Sequence, residues 1–140
     1  MERDAILREA MVSQLERAGI LRLAPVAKAM RRVPRHRFLP DTPLDEAYAD
    51  RAIAIKMKDG EIVSSISQPG MIVLMLELLA VEPGDRILEI GTGSGYHAAL
   101  LAELVGPEGS VTTTDLDADL AGRARATLRE LGYANVCVLA

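Results

Sequence analysis

The sequence predicts an α/β protein built on an open parallel sheet, and it predicts only part of one. Three observations carry this reading. From Val81 onward, short apolar runs alternate with helical patterns as strand, helix, strand, helix, strand, which implies parallel strands joined by right-handed crossovers. After the first of these strands, in "RILEIGTGSGYHAALL", Gly91, Gly93 and Gly95 stand at alternate positions just before a helix. After the third strand the chain stops, where a doubly wound, Rossmann-like sheet continues on the far side of its first strand. The sequence therefore reads as the N-terminal portion of a longer protein, or as a chain completed by a partner.

The elements follow in order. Asp4 to Ala18 reads as a helix, with Ile6, Leu7, Ala10, Met11 and Leu15 on one stripe and Gly19 as its stop. A second helix starts near Pro25 and ends before Pro34. "RRVPRHRFLPDTP" is punctuated by proline and reads as loop with short turns. "AIAIKMKDGEIVSS" reads as a hairpin turning at Asp59 and Gly60, residues that accept positive φ. "QPGMIVLMLELLAV" is helical, opened by Pro69, with Met71, Leu74, Met75 and Leu78 at helical spacing and the two methionines read as core. These elements form a helical and hairpin region over 1–80. The alternating region, 81–140, holds "RILEI" as a short buried strand, "GTGSG" as a loop and "YHAALLAELVG" as a helix stopped by Gly106. It continues with "SVTTTD" as a strand, "LDADLAGRARATLRELG" as a helix stopped by Gly132, and "NVCVLA" as the third strand, its Cys137 read as a core thiol.

Composition narrows the function classes. The chain has 140 residues and 49% hydrophobic residues, yet no apolar run reaches the roughly 18 residues of a membrane helix. The start "MERDAILREAM" mixes charges and lacks the apolar core of a signal peptide. A single cysteine rules out an internal disulfide and suits a reducing, cytoplasmic setting. A net charge of -4 argues against a dedicated nucleic-acid binder. Two histidines and one cysteine offer no metal-binding cluster.

The glycines then have two readings: a mere turn, or a loop that lets a ligand approach the backbone. Their place at a strand's carboxyl end before a helix is where open α/β sheets bind ligands. The spacing is G-x-G-x-G. A dinucleotide fingerprint wants G-x-G-x-x-G, and Tyr96 is bulky where a small residue would be needed. Glu89 precedes the loop, and a carboxylate there repels a diphosphate and suits a cation. Asp115 ends the second strand, where an acid can accept both hydroxyls of a ribose. A ligand with a ribose and a positive charge but no phosphate describes S-adenosyl-L-methionine.

The loop with an acid after the second strand is similar to that of class I methyltransferases. The upstream segments are more specific. "VPRHRFLP" (33–40), "AYADRAIAI" (47–55) and "SISQP" (65–69), followed by a helix, "GDRILEIGTGSGYHAALLAELVG" and "ARATLRELGYANV", resemble the protein-L-isoaspartate O-methyltransferase family, in its order, over nearly the whole chain. The resemblance implies a Rossmann-like class I methyltransferase fold and methylation of L-isoaspartyl carboxylates in damaged proteins or peptides. It places S-adenosyl-L-methionine on Glu89, Ile90, Gly91, Thr92, Gly93, Ser94, Gly95, Tyr96 and Asp115. It makes Ser67, in the motif T-I-S-x-P with Ser65 standing for the threonine, the active-site serine. Composition, charge and the length of the apolar runs, as given above, leave no metal, nucleic acid or membrane among the expected partners. Related enzymes that tailor biosynthetic peptides are the alternative. The family's third strand leads into a G-D-G loop and further strands that this sequence does not contain.

The chemistry asks little of the protein beyond placement. The acceptor carboxylate is already ionised near neutral pH, and the cofactor carries an activated methyl. Ser67 could donate to one carboxylate oxygen and leave the other to attack, or it could cap the helix beside Pro69. Tyr96 could cover the methionine or ribose, or pack at the helix start. His97 reads as helix surface or as an edge of the cofactor site. Asp50 and Arg51 could brace the segment carrying Ser67, or form an exposed ion pair. "RRVPRHR" reads as a solvated basic face, or as a guide for acidic substrates. Two readings from other classes stand beside the enzyme: a cofactor-binding fragment without turnover, and a Rossmann dehydrogenase, which Tyr96 and Glu89 disfavour.

Overall fold

The computed structural model, which describes residues 2–140, carries the elements in the predicted order. Helix α1 spans Arg3–Arg17 and α2 spans Ala24–Arg32. Pro25 sits in the first turn of α2, where its missing N–H is no loss. The chain entering α2 is held from a distant helix: the Glu77 carboxylate accepts from the Arg22 and Leu23 N–H groups at 2.7 and 2.8 Å. The proline-punctuated stretch becomes a 3-10 turn, Arg35–Phe38, and a short helix α3, Leu44–Ala47. Strands β1, Ile53–Lys58, and β2, Glu61–Ile66, pair antiparallel. Asp59 and Gly60 turn between them with φ of 50° and 79°, the hand that matches strand twist in a two-residue hairpin loop. Helix α4 runs Pro69–Leu79.

The second region alternates as predicted: β3 Arg86–Ile90, α5 Tyr96–Val105, β4 Ser110–Thr114, α6 Ala118–Glu130 and β5 Val136–Leu139. The sheet is parallel, in the order β3-β4-β5. Asp117 caps α6 by accepting from the N–H groups of Asp119 and Leu120, satisfying donors that a helix start leaves open. A single hydrophobic cluster runs through both regions, from Met11, Val12 and Leu15 on α1 through Ile72 and Leu76 on α4 to Leu100 and Leu101 on α5.

Burial corrects the sequence reading at three places. "RILEI" is not buried on both faces: Leu88 is 65% and Ile90 77% exposed. The register explains this. Leu88, Thr112 and Cys137 share one row across the sheet, and Ile90, Thr114 and Leu139 the next. Both rows lie on the face that no helix covers among the described residues. For the same reason Cys137 is exposed and not a core thiol. Glu89, Thr113 and Val138 fall on the opposite face, which is covered. Met71 and Met75 likewise lie on an exposed side of α4 with Leu74 and Leu78, while Ile72, Val73 and Leu76 form its core side. Among the described residues no helix is long and apolar enough to cross a membrane.

Candidate active site

The site forms where β2 and the start of α4 lie over the carboxyl end of β3. The loop after β3 continues the parallel ladder, with the N–H groups of Gly91 and Thr92 both donating to the Thr114 carbonyl, at 2.7 and 3.1 Å. Gly93 N–H donates to Asp115 at 2.9 Å, Gly95 N–H to the Thr92 carbonyl and Tyr96 N–H to the Ser94 hydroxyl. These N–H groups are therefore used within the chain, and of the loop only the Ser94 N–H is left without a partner among the described residues. No donor among the described residues reaches the carbonyl oxygens of Gly91 and Gly93. A rim of free carbonyls beside a carboxylate favours a cation.

Two of the three glycines have steric reasons that differ. A Cβ on Gly95, already at φ 90°, would stand 3.0 Å from Ala124 Cβ, so this glycine lets the loop close onto α6. Gly93 meets the hairpin: its Cβ would come within 4 Å of Ile55 and of Ser64 and Ser65. The hairpin thus roofs the loop. Lys56 on β1 ties it down through an ion pair to Asp117 at the start of α6. The same bond holds the Asp117 carboxyl below its usual range.

Two cavities meet around the glycine loop under β2. One, about 320 Å³, is lined by Ser65, Ser67, Met75, Glu89, Gly91 and His97. The other, about 490 Å³, is lined by Ser64, Ser65, Ile90, Gly91, Gly93 and Asp115. The structure thus brings Ser67, Glu89, Ile90, Thr92, Gly93 and Ser94 to one hollow, with Asp115 at its other lobe. A wider concavity, about 1150 Å³, lies at the far end of α5 and holds none of them.

The acidic residues are held in place by defined partners. Glu89 accepts from the Thr113 hydroxyl at 2.7 Å through one oxygen and lies 2.6 Å from His97 Nδ1 through the other. An ionised carboxylate only accepts, so Nδ1 carries the ring proton in this pair. Thr113 gives its proton to Glu89, so the Thr92 hydroxyl, 2.7 Å away, donates to Thr113. The chain Thr92–Thr113–Glu89–His97 is buried at its threonine end, and His97 is therefore more than helix surface. Asp115 accepts from Gly93 N–H with one oxygen and from Asp117 N–H with the other, both at 2.9 Å. Each oxygen has a further lone pair to offer, and the residue lines the second lobe.

Ser67 is not a helix cap. Gln68 occupies the cap position of α4 and no side chain bonds there. The Ser67 hydroxyl has no partner among the described residues while its residue lines the hollow. Its segment is braced by Asp50, which accepts from Gly70 N–H at 2.8 Å and from the Gln68 amide at 3.1 Å. Arg51 does not join this brace and pairs with Glu46 at the surface.

Two expectations fail on burial. The Tyr96 side chain does not reach the hollow; it is fully buried, edge-on to Phe38 at 5.8 Å and under the Arg35 guanidinium at 5.0 Å. Burial pushes its phenol up to about 12. The basic stretch is not uniformly solvated either, since Arg35 within it is fully buried and donates to the Ser67 carbonyl at 3.1 Å. Sequence reasoning missed this contact because nothing local separates Arg35 from Arg31, Arg32 or Arg37.

A parallel sheet bearing a tight glycine loop, an acid after β4 and a cation-favouring rim defines the cofactor-binding half of a class I methyltransferase fold. The family model for protein-L-isoaspartate (D-aspartate) O-methyltransferase matches residues 6–140, and the chain belongs to that family. It is 42% identical over 132 residues to the protein-L-isoaspartate O-methyltransferase of Methanothermobacter thermautotrophicus, covering 94% of this chain and 58% of that protein. It is 44% identical over 126 residues to that of Methanopyrus kandleri, covering 90% and 54%. The chain thus spans about half the length of these curated relatives. A solved protein-L-isoaspartate O-methyltransferase superposes with a TM-score of 0.84 at 32% identity, over 94% of this chain and 41% of the other. A Plasmodium falciparum structure described as a complex with S-adenosyl-L-homocysteine shares the fold, with a TM-score of 0.79 at 22% identity over 94% and 61%.

Proposed function

We propose that the protein works in S-adenosyl-L-methionine-dependent methylation of L-isoaspartyl carboxylates in damaged proteins or peptides. One observation carries the reading: the free Ser67 hydroxyl shares a cavity with Glu89, Gly91 and Gly93. The relatives named for this activity support it. The cofactor supplies an activated methyl on a cationic sulfur. Glu89 and the free Gly91 and Gly93 carbonyls hold its cationic part, and Ile90, Thr92 and Ser94 shape the loop around it. Asp115 accepts from the ribose hydroxyls. Ser67 would donate to one oxygen of the acceptor carboxylate and leave the other free toward the activated methyl that the cofactor would supply. No general base is required, since the acceptor is already ionised near neutral pH. The hairpin over Gly93 would keep water out of the hollow during transfer. Ester formation gives the isoaspartyl carbonyl a better leaving group, and the neighbouring backbone nitrogen can then close a succinimide.

A second reading rests on the open face of β3. Leu88 and Ile90 are solvent-exposed beside an edge without a strand partner among the described residues. Further polypeptide, in the same chain or a partner, would cover that face, and the present residues would bind cofactor without turnover by themselves. The exposed, unpaired thiol of Cys137 fits a reducing compartment such as the cytoplasm.

Calorimetric titration with S-adenosyl-L-homocysteine tests the cofactor reading, and Asp115→Ala should weaken binding by roughly 1–3 kcal/mol. Methyl transfer to an isoaspartyl peptide, set against its aspartyl twin, tests the activity. Ser67→Ala should lower transfer about a hundredfold with cofactor affinity unchanged. Absence of binding would overturn both readings; binding without transfer would leave the second.

A further inference from the structure

Arg35 is the only charged side chain fully buried among the described residues. No carboxylate lies within ion-pair distance of it among them. Its partners are main-chain carbonyls instead. Nε donates to Ala47 at 2.8 Å, and Nη2 donates to Ser67 at 3.1 Å and to Arg51 at 3.5 Å. Nη1 has no partner. The guanidinium stands over the Tyr96 ring, the first residue of α5 after the glycine loop. Burial lowers its pKa from the ordinary value.

A guanidinium without a counter-charge is a costly way to fill a core, and apolar side chains of similar volume fill such places at least as well. The planar fork does what an apolar side chain or a lysine cannot: it spans carbonyls from separate loops at once. One of those carbonyls belongs to Ser67. On the other side, Tyr96 fixes the fork to the end of the glycine loop. Arg35 therefore touches the serine segment on one side and, on the other, the residue that follows the cofactor loop. Its positive charge also favours an anion near Ser67.

We propose that Arg35 is the positioning residue of the serine segment, clasping the Ser67 carbonyl so that the Ser67 hydroxyl meets an anionic methyl acceptor in register with the glycine loop. This rests on the role given to Ser67 above. It does not act on the acceptor itself. Asp50 holds the same segment from the α4 side through Gly70 N–H, so the segment keeps one anchor when Arg35 is changed.

Arg35→Lys and Arg35→Met test the assignment in two measurements. Amide hydrogen exchange reads the segment without any need for turnover. Both variants should lose protection at residues 65–72 while α5 and α6 keep theirs. Unchanged protection there, or uniform loss throughout the chain, overturns the proposal, since the latter means a purely structural role. Kinetics on an isoaspartyl peptide read the consequence. Arg35→Lys should lower kcat/KM for the acceptor about a hundredfold, the scale of a misplacement near 1 Å, with affinity for S-adenosyl-L-homocysteine within about twofold. In a Ser67→Ala background Arg35→Lys should have no further effect. Wild-type turnover in Arg35→Lys, equal losses of acceptor kinetics and cofactor affinity, or additive losses with Ser67→Ala each overturn it. A protein that transfers no methyl at all would sink the function proposed above, while the exchange measurement still decides the clasp.

Discussion

Helices α4 and α5 have nearly the same character in sequence and opposite fates in the fold. "PGMIVLMLELL" and "YHAALLAELV" are both apolar almost all round, each with one acid, Glu77 or Glu103. In α5, Tyr96, Ala98 to Ala102, Leu104 and Val105 are all buried. In α4, Met71, Leu74, Met75, Leu78 and Leu79 are exposed. The difference is in the neighbours. α5 lies between α2 on one side and β3, β4 and β5 on the other, whereas α4 has α2 as its main contact. Their ends differ too. α5 stops at Gly106, φ 69°, and the Asn135 amide donates to the carbonyls of Ala102 and Gly106. α4 stops at Ala80, which takes a left-handed φ of 52° without a glycine's freedom. An all-round apolar helix is a demand for partners on every side, and only α5 has its demand met by the described residues.

The comparison breaks most easily at its buried side. Leu101 on α5 is 1% exposed. Leu101→Ala should cost about 2–5 kcal/mol, the lost transfer of its methyl groups plus the cavity left behind. Urea denaturation at matched m-value measures it. A loss below about 1 kcal/mol would mean that α5 is packed loosely and that the contrast with α4 is only one of exposure.

What the sequence made legible follows the same division. Local signals named the helices, the Asp59–Gly60 hairpin and the loop at Gly91, Gly93 and Gly95, because turn chemistry and periodicity are properties of short stretches. Of the candidate site, Glu89 and the loop residues Ile90 to Ser94 line one hollow with Ser67, and the place of the loop follows from the fixed relation of a strand's carboxyl end to its helix. Burial was less legible. Leu88, Ile90, Cys137, Met71 and Met75 read as core because an apolar run carries no record of which side has a neighbour. The reverse error befell Arg35. A charge reads as surface, and of the two readings open for Tyr96, cover for the ligand or packing at the helix start, burial selects the second. His97 could be paired with Glu89 only by knowing that a strand residue and a helix residue eight positions apart face one another.

A gentler test lies at the ends of the two helices. Ala80→Gly should stabilise the protein by about 1 kcal/mol, by relieving the left-handed strain of a residue with a Cβ, less what glycine adds to unfolded-state entropy. A thermal shift of a few degrees upward is the expected reading. Destabilisation would show that the Ala80 methyl packs against something that outweighs its strain.

The smallest effect belongs to the outer face of α4. Leu78 is 77% exposed, so Leu78→Lys removes no buried contact and should change folding stability by no more than about 0.5 kcal/mol. Its effect should instead be on association. Leu74 and Leu78 neighbour one another on the helix surface and belong to the same uncovered side as Met71 and Met75, and apolar patches of this kind draw molecules together. A lysine there should lower concentration-dependent self-association in sedimentation while the unfolding midpoint stays put. Should the substitution instead cost several kcal/mol, as Leu101→Ala is expected to, the outer face of α4 would be buried in solution, and the two helices would differ only in whose atoms cover them.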